Sequence, residues 1–302
     1  MAIGRRPLWQ SALIYAILTI TSLVILYPLA FMLLATFTTP EQYYRTSFFP
    51  IPNALDFHNY TPILSDCAQG CIITAILLTA VRAVWYIGWA LLVAILGGYV
   101  FARLRFPLKN ALFLFFLSGL MVPPLLTTLP LYIMLARFPL AGENDIFGQG
   151  GHGFVNDWPA LGMFGLVNVI ALFLLKQNYE MMPPDYEEAA RVDGAGTLRV
   201  IFQIYVPMLR PALTAVAILE FVGIWNDYFW PLIAVGGNRQ ITPVALTVQR
   251  LIYNYTQRQA ETVADFPLIF AAATLMSLPT IFVYLALQRY FVQGLVGVGI
   301  KG

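Results

Sequence analysis

Charge is scarce in this sequence: acidic and basic side chains make up 11% of 302 residues, and the net charge is only +2. So weak a balance gives no electrostatic footprint for nucleic acid. The two histidines, His58 and His152, stand alone in loops, and with two cysteines they form no cluster of metal-ligand spacing. Cys67 and Cys71, four residues apart beside an apolar run, are expected as small buried thiols rather than as a bridge. A Gly-x-x-x-x-Gly-Lys-Ser/Thr run is missing too; the nearest imitation, Gly294 to Lys301, interposes Ile300 between Gly299 and Lys301. The chain is therefore not expected to bind or hydrolyse ATP, and no catalytic residue, cofactor or metal site is assigned to it.

What fills the sequence instead is apolar: 59% hydrophobic residues, against roughly 45–50% in soluble domains. The expected fold class is all-α, a polytopic integral membrane protein formed by 1–302 as one transmembrane domain. Apolar runs at about 12–37, 72–102, 110–136, 159–176, 212–235 and 266–287 predict six transmembrane helices. The first run is too long for a signal-peptide core and lacks an obvious cleavage site. In the third, Pro123, Pro124 and Pro130 remove backbone donors, so that helix is expected to be kinked or broken. Arg82 falls near the outer end of the second run, where a snorkelling side chain is expected. Segments 38–70, 139–157 and 236–265 read as external loops.

The basic residues support that path. Eleven of them (Arg5, Arg6, Arg103, Arg105, Lys109, Lys176, Arg191, Arg199, Arg210, Arg289 and Lys301) fall on the side assigned to the cytoplasm, and five (Arg45, Arg137, Arg239, Arg250 and Arg258) fall outside. This bias agrees with the positive-inside rule and leaves both termini cytoplasmic in the inner or plasma membrane.

Between the fourth and fifth runs, 177–211, lies the densest group of charges in the chain. Asp185, Glu187, Glu188, Arg191 and Asp193 follow Pro183 and Pro184 and cannot lie in hydrocarbon. Asp185 with Glu188 has capping-box spacing, so a helix is expected to start at Asp185 and to leave at Gly194. Thr197 is then expected to cap a second helix ended by Pro207, with Leu198, Ile201, Phe202 and Tyr205 on one face. A short polar helix, a glycine corner and an amphipathic helix make a shape suited to docking in another protein's groove.

This spacing resembles the cytoplasmic loop of ABC importer permeases: Glu188-Ala189-Ala190, three residues, Gly194, nine residues, Ile204, one residue, then Val206-Pro207, with Val206 where that pattern prefers Leu. Beyond the loop, the chain is similar to the carbohydrate subfamily of these permeases, the maltose and glycerol-phosphate type. The residues that carry this are Tyr99-Val100-Phe101-Ala102-Arg103 with Phe106-Pro107, Trp225-Asn226-Asp227 with Trp230-Pro231-Leu232, and Gln288 to Gly294. The resemblance implies a membrane subunit that is not itself an enzyme. Its implied partners are a dimer of ABC ATPase subunits, a second permease subunit, the same or different, and an extracytoplasmic binding protein that delivers a sugar or related polyol. It implies that Glu188, Ala189, Ala190, Asp193, Gly194, Ile204 and Pro207 form the ATPase-coupling loop.

The fifth run carries the costliest polar groups of any span, Glu220, Asn226 and Asp227, amid Trp225 and Trp230. Trp225, Asn226, Asp227 and Trp230 are expected to line the substrate path, with an aromatic belt at the outer interface as the other reading. Glu220 is expected as a buried helix–helix contact. A function of another class, an ion-coupled secondary transporter using Glu220 and Asp227, would need no docking hairpin and more usually shows internal repeats, and no duplicated half is visible.

Overall fold

A computed structural model of the chain describes residues 8–45, 49–65, 71–163, 165–257 and 265–296, with the backbone alone at 257 and 289–296. Arg5, Arg6, Cys67, Arg258 and Lys301 lie outside these residues. Every regular element among the described residues is helical, in a chain that folds as an all-α membrane protein. Two units form: Met1–Cys71 with Arg250–Ser277, and Ile72–Gln249 with Leu278–Gly302.

In the first unit, α1 (Leu8–Ala35) is followed by α2 (Pro40–Arg45) and α3 (Tyr60–Ser65). Its 28 residues bury only Ala35, while Ile14, Ile20, Leu23 and Val24 are exposed. A helix apolar around its circumference and unburied finds its solvent in lipid. The chain leaving α1 is fastened by buried Asn59, whose Nδ2 donates to the carbonyls of Thr36 at 2.8 Å and Thr38 at 2.9 Å.

The second unit is built on α4 (Ile72–Arg103), followed by α5 (Lys109–Ser118), α6 (Pro124–Ala136), α7 (Pro159–Gly162), α8 (Val169–Met181) and α9 (Asp185–Val192). Helix α4 packs on α8 along buried Ala94 and Gly98. Small residues four apart let two backbones approach closely, and packing rather than the hydrophobic effect holds helices together in lipid. A Cβ added at Gly98 would lie 3.0 Å from Leu175 Cβ and 3.2 Å from the Lys176 backbone nitrogen.

Proline geometry sets the breaks. Val122 and Pro123 each precede a proline and are extended, with ψ of 119° and 130°. As a result α5, with its following 3₁₀ turn, and α6 meet at 98°. The fourth run forms not one helix over 159–176 but a single turn, α7, and then α8. Gly165 at φ +82° interrupts the helix, and the Asn168 side chain restarts it by accepting the Ala171 N–H at 3.0 Å. With 13 residues, α8 reaches only about 20 Å.

The hairpin after α9 contains α10 (Thr197–Arg199), a π-helical segment Val200–Tyr205 and α11 (Val206–Met208), and leads at 80° into the next helix, α12 (Arg210–Asn226). The fifth run was expected to continue to 235, but α12 stops at Asn226 and α13 (Phe229–Ala234) begins afresh. The Pro231 ring would clash with the Asp227 carbonyl in a continuous helix. Segment 236–265 is not all loop, because α14 (Val244–Gln257) lies within it. Its Val244, Val248 and Leu251 fall at i, i+4 and i+7 and are buried, as are Ala245, Leu246 and Thr247 between the first two. Finally α15 (Phe266–Val296) runs nine residues past the expected end at 287.

Three helical stretches among the described residues are long and apolar enough to cross a bilayer, or five spans if each bent pair counts as one. Replacing Gly98 by Val should force α4 from α8 and lower stability by about 1–3 kcal/mol, the usual cost of overpacking. Thermal unfolding of the detergent-solubilised protein checks this, and an unchanged transition would mean that the two helices have room to spare.

Candidate functional site

Helix α9 starts and ends by different means. The expected capping box does not form: Pro184 occupies the N-cap without a side-chain bond, and Asp185, Glu187 and Glu188 fill the first turn, where the helix dipole favours acids. At the other end Gly194 sits at φ +79°. Its N–H donates to Arg191 at 3.0 Å, and that of Ala195 donates to Ala190 at 2.9 Å, the two bonds of a Schellman closure. Thr197 is not the cap of the second helix. Gly196 holds that position, and the helix runs through Pro207 to Met208.

The face expected on that second helix is corrected as well. Ile201 and Tyr205 are buried, but Leu198 and Phe202 are exposed. The cause is the π-helical segment, whose wider turn puts Val200, Tyr205 and Leu209 on the inner side at steps of five and four.

Of α9's side chains only Glu187 and Ala190 turn inward. Both Glu187 carboxylate oxygens are used. Oε1 accepts from Tyr99 Oη at 2.6 Å and from Arg191 Nη2 and Nε at 2.7 and 3.0 Å, and Oε2 accepts from Tyr205 Oη at 3.0 Å. Arg191 Nη2 also donates to Tyr99 Oη at 3.0 Å. Under the carboxylate, the rings of Tyr99, Tyr179 and Tyr205 meet with centroids 5.2–6.0 Å apart. Arg103 lies 5.3 Å over the Tyr205 ring and donates to the Met182 carbonyl at 2.6 Å. One carboxylate thereby joins α4, α9 and the π-helical segment.

Sequence reasoning passed over Glu187. The available signals were its i, i+4 spacing to Arg191 and the tyrosines at 99 and 205. Of the residues expected to couple to an ATPase, Glu188, Ala189, Asp193, Gly194 and Pro207 are exposed. Ala190 is buried against the core, and Ile204 is half-buried beside it. Tyr186, Val192 and Leu198 add exposed apolar surface around them, Val192 at 87%.

Partial burial pushes the Glu187 carboxyl upward, but hydrogen bonds from Tyr99, Arg191 and Tyr205 outweigh it and hold the pKa below the ordinary glutamate value. A depressed acid stabilises the folded state above its unfolded pKa, and that stability disappears as pH falls through the folded value. Amide protection at 186–195, measured against the intrinsic exchange rate at each pH, should therefore hold from neutral down to mildly acidic pH and fall only in stronger acid.

At the break between α12 and α13, Arg82 does not snorkel; it is buried, with Nη2 donating to Asp227 Oδ2 at 2.6 Å and Nε to the Leu161 carbonyl at 3.0 Å. The chain turn at Asp227 brings the carboxylate within reach. Asp227 also accepts the Trp230 N–H at 3.3 Å, and Trp230 Nε1 donates to the Ala160 carbonyl at 2.9 Å. Trp225 is 2% exposed and stacked on Phe221. Asn226 is exposed and bonded to the Val222 carbonyl at 2.8 Å. None of these four residues lines the cavity of about 430 Å³ beside Arg82, which is bordered by Trp85, Trp158 and Leu161. Glu220 Oε1 accepts a hydrogen bond from Asn168 Nδ2, so it joins α12 to the start of α8.

Cys71 is disulfide-bonded, which corrects the expectation of a free thiol.

Removing Asp227 leaves a buried guanidinium without its counter-charge, a change that costs about 3–5 kcal/mol when the pair is fully buried. Asp227's side chain is 24% exposed, so the loss should be smaller. Asp227→Leu alone should reduce folded yield after heating, while Arg82→Met with Asp227→Leu should restore it; size-exclusion recovery measures both.

Residues 90–297 match the family model described as binding-protein-dependent transport system inner membrane component. The diacetylchitobiose uptake system permease protein NgcG of Streptomyces coelicolor is 28% identical over 92% of this chain and 85% of its own length. The lactose transport system permease protein LacG of Rhizobium radiobacter is 28% identical over 94% of both chains. Among solved structures, a chain of a bacterial ABC transporter involved in the import of the acidic polysaccharide alginate superposes with a TM-score of 0.75, covering 96% of this chain and 99% of the other at 19% identity. That last likeness concerns the fold alone.

Proposed function

The chain belongs to the family of binding-protein-dependent transport system inner membrane components, and from that premise we propose that it is the membrane-spanning subunit of an ATP-driven importer for a sugar or related polyol. In this reading a binding protein delivers the solute outside, a second permease subunit completes the pathway, and a pair of ATPase subunits drives alternating access from the cytoplasm. The relatives named for diacetylchitobiose and lactose support the substrate class.

The observation that carries the coupling role is the form of α9. Glu188, Ala189, Val192 and Asp193 are exposed on a short helix whose inner side is fixed to α4 and whose exit is closed by Gly194. Small and apolar side chains permit close approach to a partner groove, and the acids offer it charge. Movement of the ATPase would then reach the spanning helices as a rigid-body displacement.

Six crossings with both termini cytoplasmic fit the charge bias. The disulfide at Cys71 and the cationic Arg103, at opposite ends of α4, support an external start and a cytoplasmic end for that helix. An ion carrier built on Glu220 and Asp227 is not favoured, since Asn168 and Arg82 already engage these carboxylates. The path reading retains Asn226, whose side chain is exposed, with Asp227 and Trp230 as its scaffold; Trp225 is too enclosed to offer a ring face to a sugar.

Valine at Gly194 would have to adopt a left-handed conformation at about 1–2 kcal/mol, with no steric obstacle around it. Gly194→Val should thus reach the membrane at near-normal abundance and lose uptake, with or without its ATPase on co-purification. Wild-type uptake with the ATPase attached would withdraw the coupling role from Gly194. A thiol at 192 should be unreachable by impermeant reagents from outside, and one at 146 reachable.

A further inference from the structure

We infer that Glu187 is the positioning residue that transmits movement between the docking helix and the membrane core; this rests on the reading of the hairpin as the coupling element. Helix α9 has little else with which to hold on. It is eight residues long, shorter than an isolated helix needs for stability, and Ala190 is its only buried side chain. An alanine contact alone offers little resistance to sliding or tilting. The Glu187 carboxylate, by contrast, fixes direction: its two oxygens are held by hydroxyls from different elements, Tyr99 on α4 at 2.6 Å and Tyr205 on the π-helical segment at 3.0 Å. Arg191 closes the arrangement by donating both to the carboxylate and to Tyr99.

Three features separate this arrangement from an ordinary surface ion pair. The Glu187 side chain is 13% exposed, its bonds to two buried tyrosines link residues 88 and 18 positions apart in sequence, and those tyrosines are packed face to edge over Tyr179. Charge-assisted bonds of this kind are stronger and more directional than neutral ones. A push on α9 therefore reaches Tyr99, four residues before the cytoplasmic end of α4, and from there the close seam at Gly98 carries it to α8. Glu188, one residue on, points outward and belongs to the docking surface; Glu187 faces inward and belongs to the transmission.

The test uses the complete complex purified from its native membrane with the co-purifying ATPase, placed in nanodiscs. Hydrogen exchange of 95–103 is compared with and without ATP plus vanadate, alongside ATP hydrolysis and thermal stability. In the wild type, nucleotide should change exchange in 95–103. Glu187→Gln should keep the ATPase bound and hydrolysing while that nucleotide-dependent change is lost, and Glu187→Asp should restore part of it. Tyr99→Phe combined with Tyr205→Phe, which keeps the ring packing, should reproduce the loss if Glu187→Gln assembles poorly. Because the readout is the response to nucleotide at equal melting temperature, a merely structural role would leave it unmoved. A full nucleotide response in Glu187→Gln or in the double tyrosine variant overturns the inference. Release of the ATPase by Glu187→Gln in a folded protein also overturns it, since that would make Glu187 a docking residue. A wild-type preparation that contains no ATPase removes the parent reading, and the inference falls with it.

Discussion

A charged group in hydrocarbon must be paired, hydrogen-bonded or carried to an edge, and this constraint organises the second unit more than any single packing contact. Arg82 lies 21 residues before Arg103 on α4, about 31 Å along the axis, and is neutralised by Asp227 at the only place where the fifth run interrupts its helix to offer a carboxylate. Glu220 meets Asn168 at the restart of α8. Lys176 pairs with Glu180 at 2.8 Å and lies 4.7 Å over the Phe113 ring. In the first two pairs a partner inside a helix, Arg82 or Glu220, meets one at a helix end, Asp227 after α12 or Asn168 before α8. Those breaks let a polar group reach a charge on another helix.

The same logic explains why the hairpin is held by a polar knot. At the Arg103 end of α4 burial works against the Glu187 charge, and tyrosine hydroxyls satisfy the carboxylate while their rings stay in the apolar layer. Deeper in the bundle the contacts change character. There Ala94 and Gly98 face α8, and this seam needs no polar group because the backbones themselves come together.

The class of fold was legible from composition and run length alone, since a hydrophobic stretch as long as 72–102 has few other uses. Gly194 was legible because positive φ is a local demand that glycine answers locally. What escaped the sequence was registration between elements. Arg82 and Asp227 are 145 positions apart, so no periodicity could pair them. The inward turn of Glu187, against the outward turn of Glu188, depends on which side of α9 meets α4. The face of the second hairpin helix was misjudged because the expected step of 3.6 residues does not hold in a π-helical segment. Helix α14 was missed because its second half, from Gln249 to Gln257, carries polar residues dense enough to look like a loop.

That π-helical segment makes the hairpin a loop by location but not by tolerance to length. Surface connections usually accept insertions and deletions at little cost. Between Val200 and Tyr205, removing a single residue would restore an ordinary α-helical register. What lies beyond, Leu209 and the start of α12 included, would then keep nearly its present facing, whereas one residue more would rotate it by about 100° relative to Tyr99. An insertion in this segment is therefore expected to turn α12 away from its partners, and a tag or reporter inserted for imaging belongs before Pro183 rather than at the exposed Leu198 or Phe202.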